Sequence, residues 1–170
     1  AVQADAVHVQ EDEELLTVTG QDFKVVFSKS NGDLVSYIYQ GSELIKQAPV
    51  PNFWRACTDN DRGNHLNYRC GTWRSAGAQR KLISMKVIPA VNGGVCICEE
   101  FVLPTKNPSV CRLDYTIDAD GEITVRQELN PGIQLPEIPE IGLMFEMSGD
   151  YENLSWYGKG HHENYWDREK

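Results

Sequence analysis

Val110-Cys-Arg-Leu-Asp-Tyr-Thr-Ile-Asp-Ala-Asp-Gly-Glu-Ile-Thr-Val-Arg-Gln-Glu-Leu129 decides the fold class. Two β-rich runs, 110–118 and 122–129, flank Asp120-Gly121. That dipeptide tolerates the positive φ of a tight turn and is the strongest hairpin signal in the chain. The same rhythm extends outward on both sides. Upstream, Asn92-Gly93-Gly94 turns the chain into a strand over 95–103. A strand over 81–88 places Leu82, Ser84, Lys86 and Ile88 on one face and Ile83, Met85 and Val87 on the other. Near the start, Phe23, Val25 and Phe27 alternate with Asp22, Lys24 and Val26, and Asn31-Gly32 supplies a turn into 34–39. Gln40-Gly41 closes that run. Downstream, 141–147 and 154–157 complete the strands. About eight strands joined by short turns predict an all-β, mostly antiparallel sandwich forming a single domain over 1–170.

Two segments break the period of two. The stretch 59–72 is rich in loop formers, with a short helical turn over 66–76 that Gly71 weakens. The stretch 130–140 carries Pro131, Pro136 and Pro139 and reads as an extended connection.

The chain has 170 residues and a net charge of −9. That length suits one domain with a real core. The charge argues against nucleic acid and anionic membranes as partners, because no basic stripe exists to neutralise phosphates. No apolar run is long enough to span a bilayer as a helix. The chain starts at Ala1, 11–14 is an acidic, solvated stretch, and Lys170 follows directly on a motif-dense segment. Both ends therefore read as cut points in a longer protein. The five cysteines, Cys57, Cys70, Cys96, Cys98 and Cys111, form neither a disulfide framework nor a CxxC zinc pattern. They read as small buried hydrophobes in a reducing compartment, which favours the cytoplasm. Cys96 and Cys98 share one strand face.

Two loops carry the chemistry. Pro51-Asn-Phe-Trp-Arg-Ala-Cys-Thr-Asp-Asn-Asp-Arg-Gly63 sets aromatics and Arg beside polar turn formers. Trp156-Tyr-Gly-Lys-Gly-His-His-Glu-Asn-Tyr-Trp-Asp-Arg168 repeats that mixture. Asp59, Asn60, Asp61, Arg62 and Gly63 resemble the start of a calcium loop. However, Asn64 stands where its Gly belongs, and Cys70 where its Glu belongs. The simpler reading is a turn in which Arg62 or Arg55 pairs an Asp. His161-His162-Glu163 lacks the second helical His of a zinc protease. No carboxylate pair is placed for glycoside hydrolysis, which needs a spacing of about 5 Å in retaining enzymes. No G-x-S-x-G elbow or phosphate-binding Gly loop occurs. The residues therefore name no catalytic group and no metal ligand. Trp54, Trp73, Trp156, Tyr157, Tyr165 and Trp166 suit either a sugar face or a domain interface. For Trp54 and Trp156 burial is favoured, while Trp73 and Trp166 are open to both uses.

The first loop resembles the P-N-F-W-R-A-P-T-D-N-D-R-G signature of the small-chain, C-terminal (fifth) domain of family 2 glycoside hydrolase β-galactosidases. The second is similar to that family's W-Y-G-x-G-P-H-E-N-Y-x-D-R. Leu16-Thr-Val-Thr-Gly-Gln-Asp-Phe-Lys-Val-Val-Phe27, with Asn31-Gly32 and Leu34-Val-Ser-Tyr37, matches the domain's usual start. The resemblance implies a β-supersandwich like that of galactose mutarotases, truncated here at its C-terminus. It implies that the catalytic glutamates, the magnesium and the sodium lie mainly on a separate (β/α)8 barrel domain. It also implies a loop that starts at Gly63 and moves toward the active site when substrate binds. That loop and the turn leading into it carry Asp59, Asn60, Asp61, Arg62, Gly63, His65 and Trp73 near the substrate. The second motif, His162, Glu163, Asn164, Tyr165, Asp167 and Arg168, then serves structure or an interface. Cys57 and His161 stand where the family has Pro.

On this reading the chain is a non-catalytic piece of a retaining β-galactosidase acting on terminal β-D-galactosides. Its partners are the barrel domain, the β-galactoside and a neighbouring subunit of a homo-oligomer. A stand-alone carbohydrate-binding sandwich is the alternative. A mutarotase-like isomerase would need His162 and Glu163 in one pocket, although neighbours on a strand face apart.

Overall fold

The computed structural model describes residues 6–155. Strands dominate, and every ladder among these residues is antiparallel. β1 (His8–Glu11), β2 (Leu15–Thr19), β3 (Phe23–Ser28), β4 (Leu34–Tyr39) and β5 (Ser42–Glu43) form one sheet in that order. β6 (Gln47–Asn52) follows. The chain then leaves the ladders for α1 (Asp59–Gly63), α2 (Leu66–Arg69) and a 3-10 turn at Gly71–Trp73. β7 (Lys81–Pro89), β8 (Val95–Leu103), β9 (Ser109–Ile117) and β10 (Ile123–Asn130) form a four-stranded meander, and β11 (Gly142–Glu146) returns to pair with β6.

The alternation of apolar residues explains the stacking. Leu16 and Val18 on β2, and Phe23, Val25 and Phe27 on β3, meet Val95, Ile97 and Phe101 on β8 and Leu113, Tyr115 and Ile117 on β9. One face of each sheet thus builds a shared core, in which a fully buried large side chain contributes about 1.5–3 kcal/mol. Phe27 and Tyr115 touch edge to face across it, with ring centroids 5.2 Å apart. The Tyr37 hydroxyl donates to the Gly121 carbonyl at 2.6 Å and ties the first sheet to the β9–β10 connection. Gly121 sits at φ +88°, and a Cβ there would lie 2.7 Å from the Phe23 ring. The predicted hairpin is therefore present. Its connection is residues 118–122, closed by Asp118 N–H to Glu122 C=O at 3.0 Å, rather than a two-residue turn.

The all-β, antiparallel expectation holds, with strands at 34–39 and 95–103 where the pattern put them. Three details differ. First, the ladder register shifts between Leu82 and Ser84, so Leu82, Met85 and Val87 all pack on the core while Ile83 is exposed. The predicted grouping of Leu82 with Ser84, Lys86 and Ile88 fails because one bulged residue reverses every face after it. Second, Glu11 belongs to β1, paired with Leu16, and the acidic stretch 11–14 is exposed as expected. Third, Pro49 and Pro51 lie within β6, which has β11 as its ladder partner. An edge position tolerates the missing N–H groups. Residues 154 and 155 are not strand.

Candidate functional site

The loop beginning at Pro51 becomes a compact helical knob. Thr58 caps α1: its hydroxyl accepts from the Asp61 N–H at 3.3 Å, while Asp61 accepts from the Thr58 N–H at 2.9 Å. This reciprocal pair is a capping box, and the order Thr58-x-x-Asp61 was its sequence signal. Arg55 then clamps Asp61 with two bonds, Nη1 to Oδ2 at 2.5 Å and Nη2 to Oδ1 at 3.1 Å. The Arg55 guanidinium and the Thr58 donors hold the Asp61 carboxyl far below the usual carboxylate range. Asp61 is buried, so its role is to lock the loop.

Asp59 points the other way. Its side chain is 96% exposed and accepts from Arg62 at 2.9 Å. Both arginines that the sequence offered as partners for an Asp are paired, Arg55 with Asp61 and Arg62 with Asp59. A hard cation needs free carboxylate oxygens. Both Asp61 oxygens accept protein hydrogen bonds and an Asp59 oxygen accepts from Arg62. The donor set of residues 59–63 therefore does not fit magnesium or sodium.

Beyond α1 the chain reverses at His65, where φ is +60°. Gly63 has no positive φ, and a Cβ there would meet nothing within 4 Å. Leu66 on α2 and Cys70, which caps its C-terminus, are both buried, four residues apart. Tyr68 lies on the opposite side and is 88% exposed. The sequence reading passed over this residue, although the helical spacing from Leu66 already turned it outward. Asp59, Arg62, His65 and Tyr68 thus form the exposed side of the knob, with the His65 and Tyr68 rings 6.5 Å apart. Asn60 and Gly63 are exposed beside them.

The inner side is a second small core. Trp73 is fully buried against Phe53, with ring centroids 5.8 Å apart, and its Nε1–H donates to the Pro136 carbonyl at 3.2 Å. Trp73, which the sequence left open to a sugar face or an interface, is enclosed within this segment: its ring has no free face. The reason is that Trp73 begins the return to β7 and needs a hydrogen-bond partner for its indole, which the proline-rich connection supplies. Trp54 is half-buried, with the Arg74 guanidinium 5.1 Å from its ring centroid. Arg69 joins Glu137 at 2.5 Å and so binds α2 to the same connection. Cys57 donates its thiol to the Asn67 side chain at 3.1 Å. His162, Glu163, Asn164, Tyr165, Asp167 and Arg168 lie outside the described residues, as do Trp156 and Trp166.

Glu99 is the second buried carboxyl. It points into the sheet-to-sheet core, 2% exposed, and neither oxygen has a partner. Burial pushes its pKa up to about 8, against the pull of the Arg80 guanidinium. Arg80 pairs with Asp33, and its Nε is likewise unpartnered. The sequence reading had noted only that Glu99 and Glu100 face opposite ways, which holds: Glu100 accepts from Arg112 on the outer face at 2.8 Å.

Comparison with known proteins adds the identity of the frame. Residues 19–170 match the model of the beta galactosidase small chain. A beta-galactosidase of Priestia megaterium is 45% identical over 163 residues, covering 96% of this chain and 16% of that protein. One from Halalkalibacterium halodurans is 40% identical over 154 residues, covering 89% of this chain and 15% of that protein. A beta-galactosidase small subunit of Latilactobacillus sakei is 30% identical over 151 residues, covering 78% of this chain and 48% of that protein. The chain therefore spans about one sixth of the first two relatives, and it belongs to the beta galactosidase small chain family.

Proposed function

We propose that this chain is a non-catalytic segment of a retaining, family 2 β-galactosidase that hydrolyses terminal β-D-galactosides. The observation that carries the reading is the match of residues 19–170 to a small chain in relatives of which it spans only 16%. The buried carboxyls support the non-catalytic part. Asp61 is occupied by Arg55 and Thr58, and Glu99 is sealed between the sheets. The acid, the nucleophile, the magnesium and the sodium then belong to a (β/α)8 barrel elsewhere in the parent.

In this role the knob at 55–73 shapes the rim of the active site. Asp59, Asn60, Arg62, Gly63 and His65 face the substrate side, while Asp61 and Trp73 anchor them. The strands form the first part of a β-supersandwich. Exposed large hydrophobics support this: Ile133, Ile141, Met144, Phe145, Tyr151 and Leu154 are each at least half exposed and crowd into one short stretch. Such a concentration suits burial against further chain, whether the rest of the sandwich, the barrel domain or a neighbouring subunit of a homo-oligomer. The buried, unpaired thiols of Cys70 and Cys111 fit a cytoplasmic parent. A stand-alone sugar-binding module is disfavoured, because Trp73 gives its face to Phe53.

The test is hydrolysis of an aryl β-galactoside by this chain alone, by the remainder of its parent, and by the two mixed. Activity that needs this chain added to the remainder supports an accessory segment. Turnover by this chain alone overturns the proposal.

A further inference from the structure

The outer face of the four-stranded sheet carries a cluster that the small-chain role does not use. Cys96 and Cys98 point to the same side of β8, with their sulfurs 3.4 Å apart. Asp114 on β9 stands directly across from Cys98 in the ladder. One ligand atom from each of the three residues lies within 4.8 Å of the others.

Distance separates two uses of such a sulfur pair. A disulfide requires the sulfurs to close to about 2.05 Å, across a Cα separation that two residues of strand already hold near its upper limit. Tetrahedral coordination by zinc, with Zn–S about 2.3 Å, places two sulfurs about 3.8 Å apart. The observed pair needs only a slight opening to bite a metal, and a large closure to form a bond. The Asp114 carboxylate stands beside the pair, with an oxygen within 4.8 Å of both sulfurs.

We propose that Cys96, Cys98 and Asp114 bind one thiophilic divalent cation of the zinc class, with a fourth position open to solvent or to a group from chain packed on this face. Two thiolates and a carboxylate around a doubly charged ion leave one net negative charge. Lys86, across from Cys98 on β7, and Arg126, across from Asp114 on β10, flank the cluster and offset it. Two sulfur donors favour soft and borderline ions over magnesium or calcium.

The experiment uses the assembled enzyme that contains this chain, reduced and stripped with chelator. Cobalt(II) is added as the probe, and thiolate-to-cobalt charge transfer is read in the near ultraviolet, where oxygen-ligated sites are silent. The expected result is a band that saturates at one equivalent for this site, is displaced by zinc, and is lost in Cys98→Ser and in the Cys96→Ser/Cys98→Ser double variant. Asp114→Asn should weaken it. A second measurement needs no variant: one equivalent of zinc should protect Cys96 and Cys98 of the wild-type protein from alkylation, read peptide by peptide. No band, a band that survives the double variant, unchanged affinity in Asp114→Asn, or unprotected thiols would each overturn the site.

Discussion

The two cores of this molecule are built by different rules. The core between the sheets is made by alternation: on β2, β3, β8 and β9 every second residue is buried, and many aliphatic or aromatic side chains share the load. The core under the helical knob is made by individual residues, Phe53, Leu66, Cys70 and Trp73 below, and a capped, ion-paired Asp61 above. A pattern tolerates substitution of one member by another of similar volume. A knob held by single bonds does not, and the positions that appear functional in its sequence divide into anchors and exposed faces.

That contrast can be broken in four ways. The largest effect belongs to Trp73→Ala, which leaves a cavity against Phe53 and frees the Pro136 carbonyl; it should cost about 3–5 kcal/mol in denaturant unfolding. A loss well below that range would mean the knob core is loosely packed and the contrast overstated.

Next comes pH dependence from Glu99. Its folded pKa, about 8, lies above its ordinary value of 4.5. Between those values the folded protein keeps a proton that the unfolded chain releases. Stability from this group is therefore complete below pH 4.5 and declines as pH rises through 8. Glu99→Gln should remove that decline, so the gap in melting temperature between pH 5 and pH 9 narrows. An unchanged gap would show that Arg80 already neutralises the carboxylate.

Asp61→Asn should act locally. The bidentate pairing with Arg55 is lost, and hydrogen exchange at the amides of 58–69 should quicken while β8 and β9 stay protected. Uniform quickening would unite the two regions into one cooperative unit.

Gly63→Ala should be the mildest for folding. The position has room and no positive φ, so stability should move by no more than about 0.5 kcal/mol. If Gly63 is a hinge for the rim, kcat/KM of the parent should nonetheless fall. An unchanged kcat/KM would move the bend to His65, the residue that holds the left-handed turn.

Legibility in the sequence followed the same division. Strand positions such as 34–39 and 95–103 were readable because alternation and Gly-containing turns are local signals. The bulge at Ile83 was not, because one extra residue matters only in relation to the partner strand. In the knob, Thr58 and Asp61 had the spacing of a capping box, and pairing of an Asp by Arg55 or Arg62 was open from the local sequence, though not which Asp each would take. The fate of Trp73 was not readable, since its partner, the Pro136 carbonyl, arrives from 63 residues away.

By itself, then, the sequence determined an antiparallel β protein, its turn positions, and a resemblance to the β-galactosidase small chain. Those features depend on residue period, on backbone freedom at Gly and Asn, and on motif order. Only the tertiary structure decided which carboxyl is buried without a partner, which tryptophan is an anchor, and that Cys96, Cys98 and Asp114 meet on one face. Burial and partnership depend on chain segments far apart in sequence, and local pattern carries no record of which of them will touch.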